Sequence, residues 1–173
     1  AGRYEASAAA FQFVEDQLLA LEQDKEYKVT EELESAIKNP AEVTYRGTPY
    51  ERVMSATMLG LSYCMMGDFE SARPSFRSAD FWQDDGIRKR QEQIDNARKE
   101  VAAEENNADL VASNESAAGR YNDSFFTGYE SVSNSFADVI QGAFLLGQLV
   151  GSSDASDAAF LFGRASEINP ENR

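Results

Sequence analysis

The sequence has no histidine and a single cysteine, Cys64. Without histidine there is no Ser-His-Asp or Cys-His relay, and the usual zinc sites lose their ligands. One cysteine excludes a disulfide within the chain, and it fits an oxidising or a reducing compartment equally. No run of 18 apolar residues occurs, so no segment reads as a membrane span. Basic residues are scarce: 16 Lys and Arg against 30 Asp and Glu leave a formal net charge of −14. That balance argues against sequence-independent nucleic-acid binding and adhesion to anionic lipid, and fits basic partners or simple solubility better. Proline occurs four times, and three of the four stand where helices should start or stop. The opening AGRYEAS has no initiating Met, signal peptide or lipid-attachment Cys, as expected of a processed or trimmed product. What is present is ordinary: 42% hydrophobic and 27% charged over 173 residues, enough for one compact domain or a short solenoid.

The patterning is helical throughout. Residues 4–21 carry Phe11, Val14, Leu18 and Leu21 as an apolar stripe. TEELESAIK (30–38) reads as a second helix, capped by Thr30, buried through Leu33 and Ile37, and stopped by Asn39-Pro40. A connector, AEVTYRG, precedes the strongest start signal of the chain. There Thr48 caps, Pro49 takes the first helical position and Glu51 completes a capping box. That helix is expected to end at Met66, with Gly67 at its left-handed C-terminus and Asp68 capping a partner over 69–81. Pro74 should cost the partner a hydrogen bond or bend it. WQDDG then reads as a break before a long polar helix over 87–112, lying on the body along Ile87, Ile94, Val101 and Ala108. Within it Arg88, Lys89 and Arg90, diluted by Glu92, Asp95 and Glu100, read as a solvated face. Residues 113–135 read as an ordered loop whose Tyr121, Phe125, Phe126 and Tyr129 seek burial. A final pair spans 136–150 and 154–168, halted by Asn169-Pro170.

Leu59, Gly60, Tyr63, Ala72, Phe76 and Ala79 follow one another at gaps of one, three, nine, four and three, with the turn at Gly67. Those gaps place Gly60 and Ala72 at the crossing of two antiparallel helices, with Tyr63 and Phe76 filling the sides and Ala79 seating the next helix. The pattern resembles the tetratricopeptide repeat. LLGQLVGSSDASDAAFLFGRASEINP resembles it again, with Leu145, Ala158, Phe162, Ala165 and Pro170 falling 86 residues after their counterparts. It departs where Leu146 stands for the expected Gly, Gly147 coming one late, and where Leu149 replaces Tyr, so that crossing should be wider or shifted. Gly2, Tyr4 and Phe11 resemble the second helix of a further unit. Residues 45–84 are similar to a family of uncharacterised bacterial tetratricopeptide-like lipoproteins, in the RG-x-P-x-ER-x-M approach and the GL-x-Y-x-x-GD-F-x-x-AR-x-x-F hairpin. The resemblance implies the periplasm or the outer surface of a bacterial envelope and a lipidated Cys upstream, without excluding the cytoplasm. It implies no known activity. The expected fold is therefore all-α: a short, interrupted array of tetratricopeptide-like hairpins in a right-handed α-α superhelix. Its parts would be N-terminal capping helices (4–38), a hairpin (48–81), a polar helix with an aromatic loop (84–135) and a second hairpin (136–170).

All four methionines lie in the helix over 49–66, and Met54, Met58, Leu61 and Met65 form one stripe on it. Methionine suits surfaces that adapt to an apolar segment, so the stripe is either a partner groove or packing against the N-terminal helices. Arg46 and Arg52, with Glu51, are candidates to grip a partner, or else structural charges. Asp84 and Asp85 read as a turn in preference to a cation site. No acid, base or nucleophile is set out for chemistry. The expectation is a non-enzymatic interaction or scaffold module without cofactor or metal, binding a protein segment between hairpins. The alternatives are a structural subunit of a larger envelope assembly and, least favoured, a carboxylate-dependent hydrolase.

Overall fold

The computed structural model describes residues 3–23, 47–104, 123–148 and 152–170. Among them it contains five helices and no strand: α1 (Tyr4–Gln23), α2 (Pro49–Met66), α3 (Phe69–Glu104), α4 (Asp123–Gln148) and α5 (Ser152–Ile168). The helix expected over 30–38 and the connector after it lie outside the described residues, as does Arg46. The chain is all-α over what is described. Helices α2 and α3 form one hairpin, and α4 and α5 form a second. Helix α1 packs on α2, and the hairpins join chiefly where α2 meets α4.

The first hairpin follows from its local residues. The Glu51 carboxylate accepts from the Thr48 backbone N–H at 2.8 Å and from its hydroxyl at 2.7 Å, and Pro49 opens the helix. Gly67, at φ 78°, closes it, its N–H donating to Cys64 O while Asp68 N–H donates to Tyr63 O, each at 3.0 Å. That paired bonding is the Schellman arrangement, which needs a left-handed residue. The Asp68 carboxylate then accepts from Ser71 N–H and caps α3, and its bonding with Ser71 draws its pKa down. At the crossing Gly60 faces Phe76: a Cβ on Gly60 would lie 2.5 Å from the Phe76 ring. Tyr63 does not fill the hairpin; half-buried, it donates to Gln12 Oε1 on α1 at 3.2 Å. Leu59, Ala72, Phe76 and Ala79 are buried.

The second hairpin repeats the device one turn out of register. Phe162 packs over Gly142, where a Cβ would come within 3.0 Å of the ring, whereas Gly147 faces open space. The shift that Leu146 foreshadowed thus brings another glycine to the crossing. Leu145, Ala158 and Ala165 are buried, Phe162 is half-buried, and Pro170 is exposed just beyond α5.

Helix α3 is longer than the sequence suggests. WQDDG does not interrupt it, because Trp82, Gln83 and Asp85 are buried and Gly86 lies against Pro49, where a Cβ would sit at 3.1 Å. The glycine gives clearance; it does not break the helix. Pro74 is accommodated on the exposed side near the start of α3, where the carbonyl it leaves unbonded stays open to water. Ile87 is 60% exposed, so it is no part of a packing seam. Helix α4 begins at Asp123, so 123–135 is helix, not loop. Its serines cap their own turn: Ser131, Ser133 and Ser135 donate to the carbonyls of Gly128, Glu130 and Val132. In α1 Val14 is exposed, and the buried line runs through Ala8, Glu15 and Leu18.

The main core joins Leu18, Val53, Ala56, Ala79, Trp82 and Ala137, one contribution or more from each of α1 to α4. A smaller cluster of Leu145, Ala158 and Leu161 holds the second hairpin, flanked by Phe144 and Phe162. Phe144 also meets Phe76 of the first hairpin, with ring centroids 5.1 Å apart.

Candidate functional site

Helix α4 is unusual in both its sides. Its buried side mixes Ala137, Gly142 and Leu145 with the polar Ser133, Ser135 and Asp138, the last with no exposed surface. Its outward side carries Tyr129, Val132, Val139, Ala143 and Leu146, with half-buried Phe136 completing the row. Every exposed residue described in α4 is apolar or glycine. The row from Tyr129 to Leu146 alternates steps of three and four residues, the heptad spacing that presents a straight seam to another helix. At 1.5 Å per residue it extends about 26 Å.

This orientation is held by a charge network that leaves α4 little freedom to rotate. Arg164 on α5 forks onto Asp138, Nε to Oδ2 at 2.7 Å and Nη2 to Oδ1 at 2.5 Å, and also donates to Asp80 on α3 at 2.6 Å. Gln83 on α3 donates to Asp138 Oδ1 at 3.0 Å, and Gln141 donates to Asp80 at 2.9 Å. The hydrogen bond to Asp138 holds the Arg164 guanidinium charged well above its ordinary pKa, against the opposing effect of burial, with Asp80 adding to it. A buried carboxylate with these partners is stable only where they are, so it fixes which side of α4 points inward.

The methionine stripe of α2 lies next to this surface. Met54, Met58 and Leu61 are half-buried and Met65 is 58% exposed. Their steps of four, three and four are again heptad-like. Helices α2 and α4 run side by side in one direction: Tyr50, opening α2, stacks on Tyr129 with centroids 5.5 Å apart, and Phe69, just past α2, approaches Phe144 at 6.4 Å. Tyr129, expected to be buried within a loop, is 49% exposed and part of the seam. Together the two rows make a run of partly exposed apolar side chains along α2 and α4.

Arg52, a candidate to grip a partner, is instead an internal charge. It is buried, its guanidinium 5.0 Å from the Trp82 ring centroid, and it donates to Glu22 at 2.9 Å and to Gly47 O at 3.3 Å. Lys89 reaches the same Glu22 at 2.7 Å and Asp85 at 2.8 Å. Burial alone would raise the Glu22 pKa, but the hydrogen bonds and charges of Lys89 and then Arg52 outweigh it and hold it at about 2. Asp85 also pairs with Arg88, and Arg90 with Glu130, so Lys89 and Arg90 are not the solvated face that their sequence context suggested. Glu15, buried in α1, accepts from the Trp82 indole at 3.0 Å and from Ser78. Nothing local in the sequence marks that carboxylate as internal. Burial pushes the Cys64 thiol up, away from the thiolate a nucleophile requires. Among the described residues no group of three or more Cys, Asp or Glu is placed to hold a metal, and no helix is long and apolar enough to cross a membrane.

Comparison with protein-family models, with curated proteins and with solved structures found no match to this chain.

Proposed function

We propose that the protein is a non-enzymatic interaction module that takes a helical segment of another protein along the apolar surface of α2 and α4. The outward face of α4 carries this reading, since a helix apolar on its exposed side belongs against another apolar surface. Heptad spacing on both rows favours a helix over an extended strand as occupant. The net charge of −14 favours a segment with Lys and Arg flanking its apolar face. The tetratricopeptide-like reading is part of this proposal, supported by the two glycine–phenylalanine crossings and the side-by-side hairpins. A place in the bacterial envelope rests on the sequence resemblance alone.

The test uses two labelled peptides of equal length with leucine at heptad a and d positions, one filled with lysine elsewhere and one with glutamate. Fluorescence anisotropy should show the lysine peptide binding clearly more tightly. Val139→Glu with Met58→Glu should abolish that binding while the melting temperature stays put. Equal binding of both peptides, or loss of fold in the variant, overturns the reading. A wild-type dimer in light scattering that Val139→Glu converts to monomer replaces the foreign helix with a second copy.

A second reading draws on the same surface: a structural subunit held permanently in a larger assembly, whose interfaces are the more apolar kind. Aggregation of the isolated chain, relieved by Val139→Glu, would favour it.

A further inference from the structure

A second concavity, away from the apolar surface and independent of its reading, opens between α3 and α5 over a floor supplied by α4. Its volume is about 380 Å³, which suits a small ligand. Two ion pairs bridge its walls, Arg73 to Asp154 at 3.6 Å and Asp80 to Arg164 at 2.6 Å. Between these bridges Arg77 projects from α3 and Asp157 from α5, both exposed, and among the described residues neither has an ion-pair partner. Phe144 lines the apolar floor with Phe76, 1% exposed, beside it, and Phe160, 65% exposed, forms part of the α5 wall.

Gln141, on the α4 side, donates its amide nitrogen to Asp80 Oδ2 and so ties α4 to the bridging pair. Asp84, also exposed, adds a second carboxylate from α3. Outside the bridging pairs the cleft therefore offers Arg77 as a cation, the carboxylates of Asp157 and Asp84, and an aromatic floor.

We propose that this cleft binds a small zwitterionic ligand of the amino-acid or dipeptide class bearing an apolar side chain. Its carboxylate meets Arg77, its ammonium meets Asp157, and its side chain lies on Phe144 and Phe160. The bridging ion pairs set the width of the site, and opposite charges across it reject ligands with a single charge.

Isothermal titration calorimetry with the dipeptide Ala-Phe, its N-acetyl form and its C-terminal amide tests this directly. The free dipeptide should bind, and each cap should weaken it about tenfold or more, the effect of losing one charge-assisted contact. Arg77→Gln should remove the penalty for amidation and leave that for acetylation, and Asp157→Asn should do the reverse. Phe160→Ala should weaken all three forms. Both charged positions are exposed, so the melting temperature should not move. Absence of heat at millimolar dipeptide, or binding indifferent to the caps, overturns the proposal.

Discussion

Replacing Gly60 with alanine is a sharp test of the packing, because three glycines of this chain make opposite forecasts for the same change. A methyl on Gly60 would sit 2.5 Å from Phe76 Cε1 and 2.8 Å from Cδ1 and Cζ. The ring is 1% exposed and held against Phe144, so it cannot swing aside. Overpacking of that kind costs about 1–3 kcal/mol, from which a helix-propensity gain of about 1 kcal/mol is subtracted. At Gly142 the methyl would meet Phe162 at 3.0 Å, but that ring is half-exposed and can yield, so cost and gain should nearly cancel. At Gly163 no atom lies within 4 Å, and alanine should stabilise by roughly 0.5–1 kcal/mol. Urea unfolding followed by circular dichroism at equal m-values gives the three numbers. Repeating Gly60→Ala in a Phe76→Leu background isolates the contact, since a smaller, more mobile side chain should remove much of the cost. A Gly60→Ala protein as stable as wild type, or a cost unchanged by Phe76→Leu, would refute the close approach at this crossing.

The other expectations concern buried charge. Arg164→Met strands the Asp138 carboxylate in the interior and should cost about 3–5 kcal/mol by urea unfolding, more than Arg88→Met, whose buried partner Asp85 keeps Lys89 and Arg52. Glu22 is held at about 2 by Lys89 and Arg52, below its ordinary 4.5, so its contribution is full above the unfolded value and fades as pH falls through the folded one. The stability difference between wild type and Glu22→Gln should accordingly shrink between pH 5 and about pH 2, and a difference that stays constant or grows would contradict the pairing. Glu15→Ala leaves the Trp82 indole N–H buried without its acceptor, which should cost about 1–3 kcal/mol and speed exchange of that proton in NMR spectra.

What could be read from the sequence was whatever is decided within one or two turns. Thr48, Pro49 and Glu51 start α2 and Gly67 ends it through contacts among near neighbours, and these positions stand where the residues imply. The continuity of α3 escaped because Asp-Asp-Gly signals a break locally. Its acid at 85 is in fact matched by Arg52 and Lys89, and its glycine by Pro49 some 37 residues earlier. Spacing shows that Gly60 is small, but not how closely the Phe76 ring comes to it. Glu15 gives no local sign of being internal, since Trp82 lies 67 residues away.

Helix α4 shows the same limit most plainly. Its apolar heptad from Tyr129 to Leu146 is written in the sequence, and periodicity alone would turn that row inward. Turning it inward would carry Asp138 away from Arg164 and Gln83, and Gly142 away from Phe162. Losing the fork from Arg164 to Asp138, with only Asp80 left to the guanidinium, and the ring-on-glycine contact opposes the burial of a few aliphatic side chains. Helix α4 thus keeps an apolar outward face while Ser133, Ser135 and Asp138 point into its own fold. A helix of that composition is stable in water only to the extent that something covers the remaining face. The chain spends Asp138 and Arg164 to aim that face outward, and the partner-binding reading accounts for why an orientation so costly in exposed apolar surface is the one adopted.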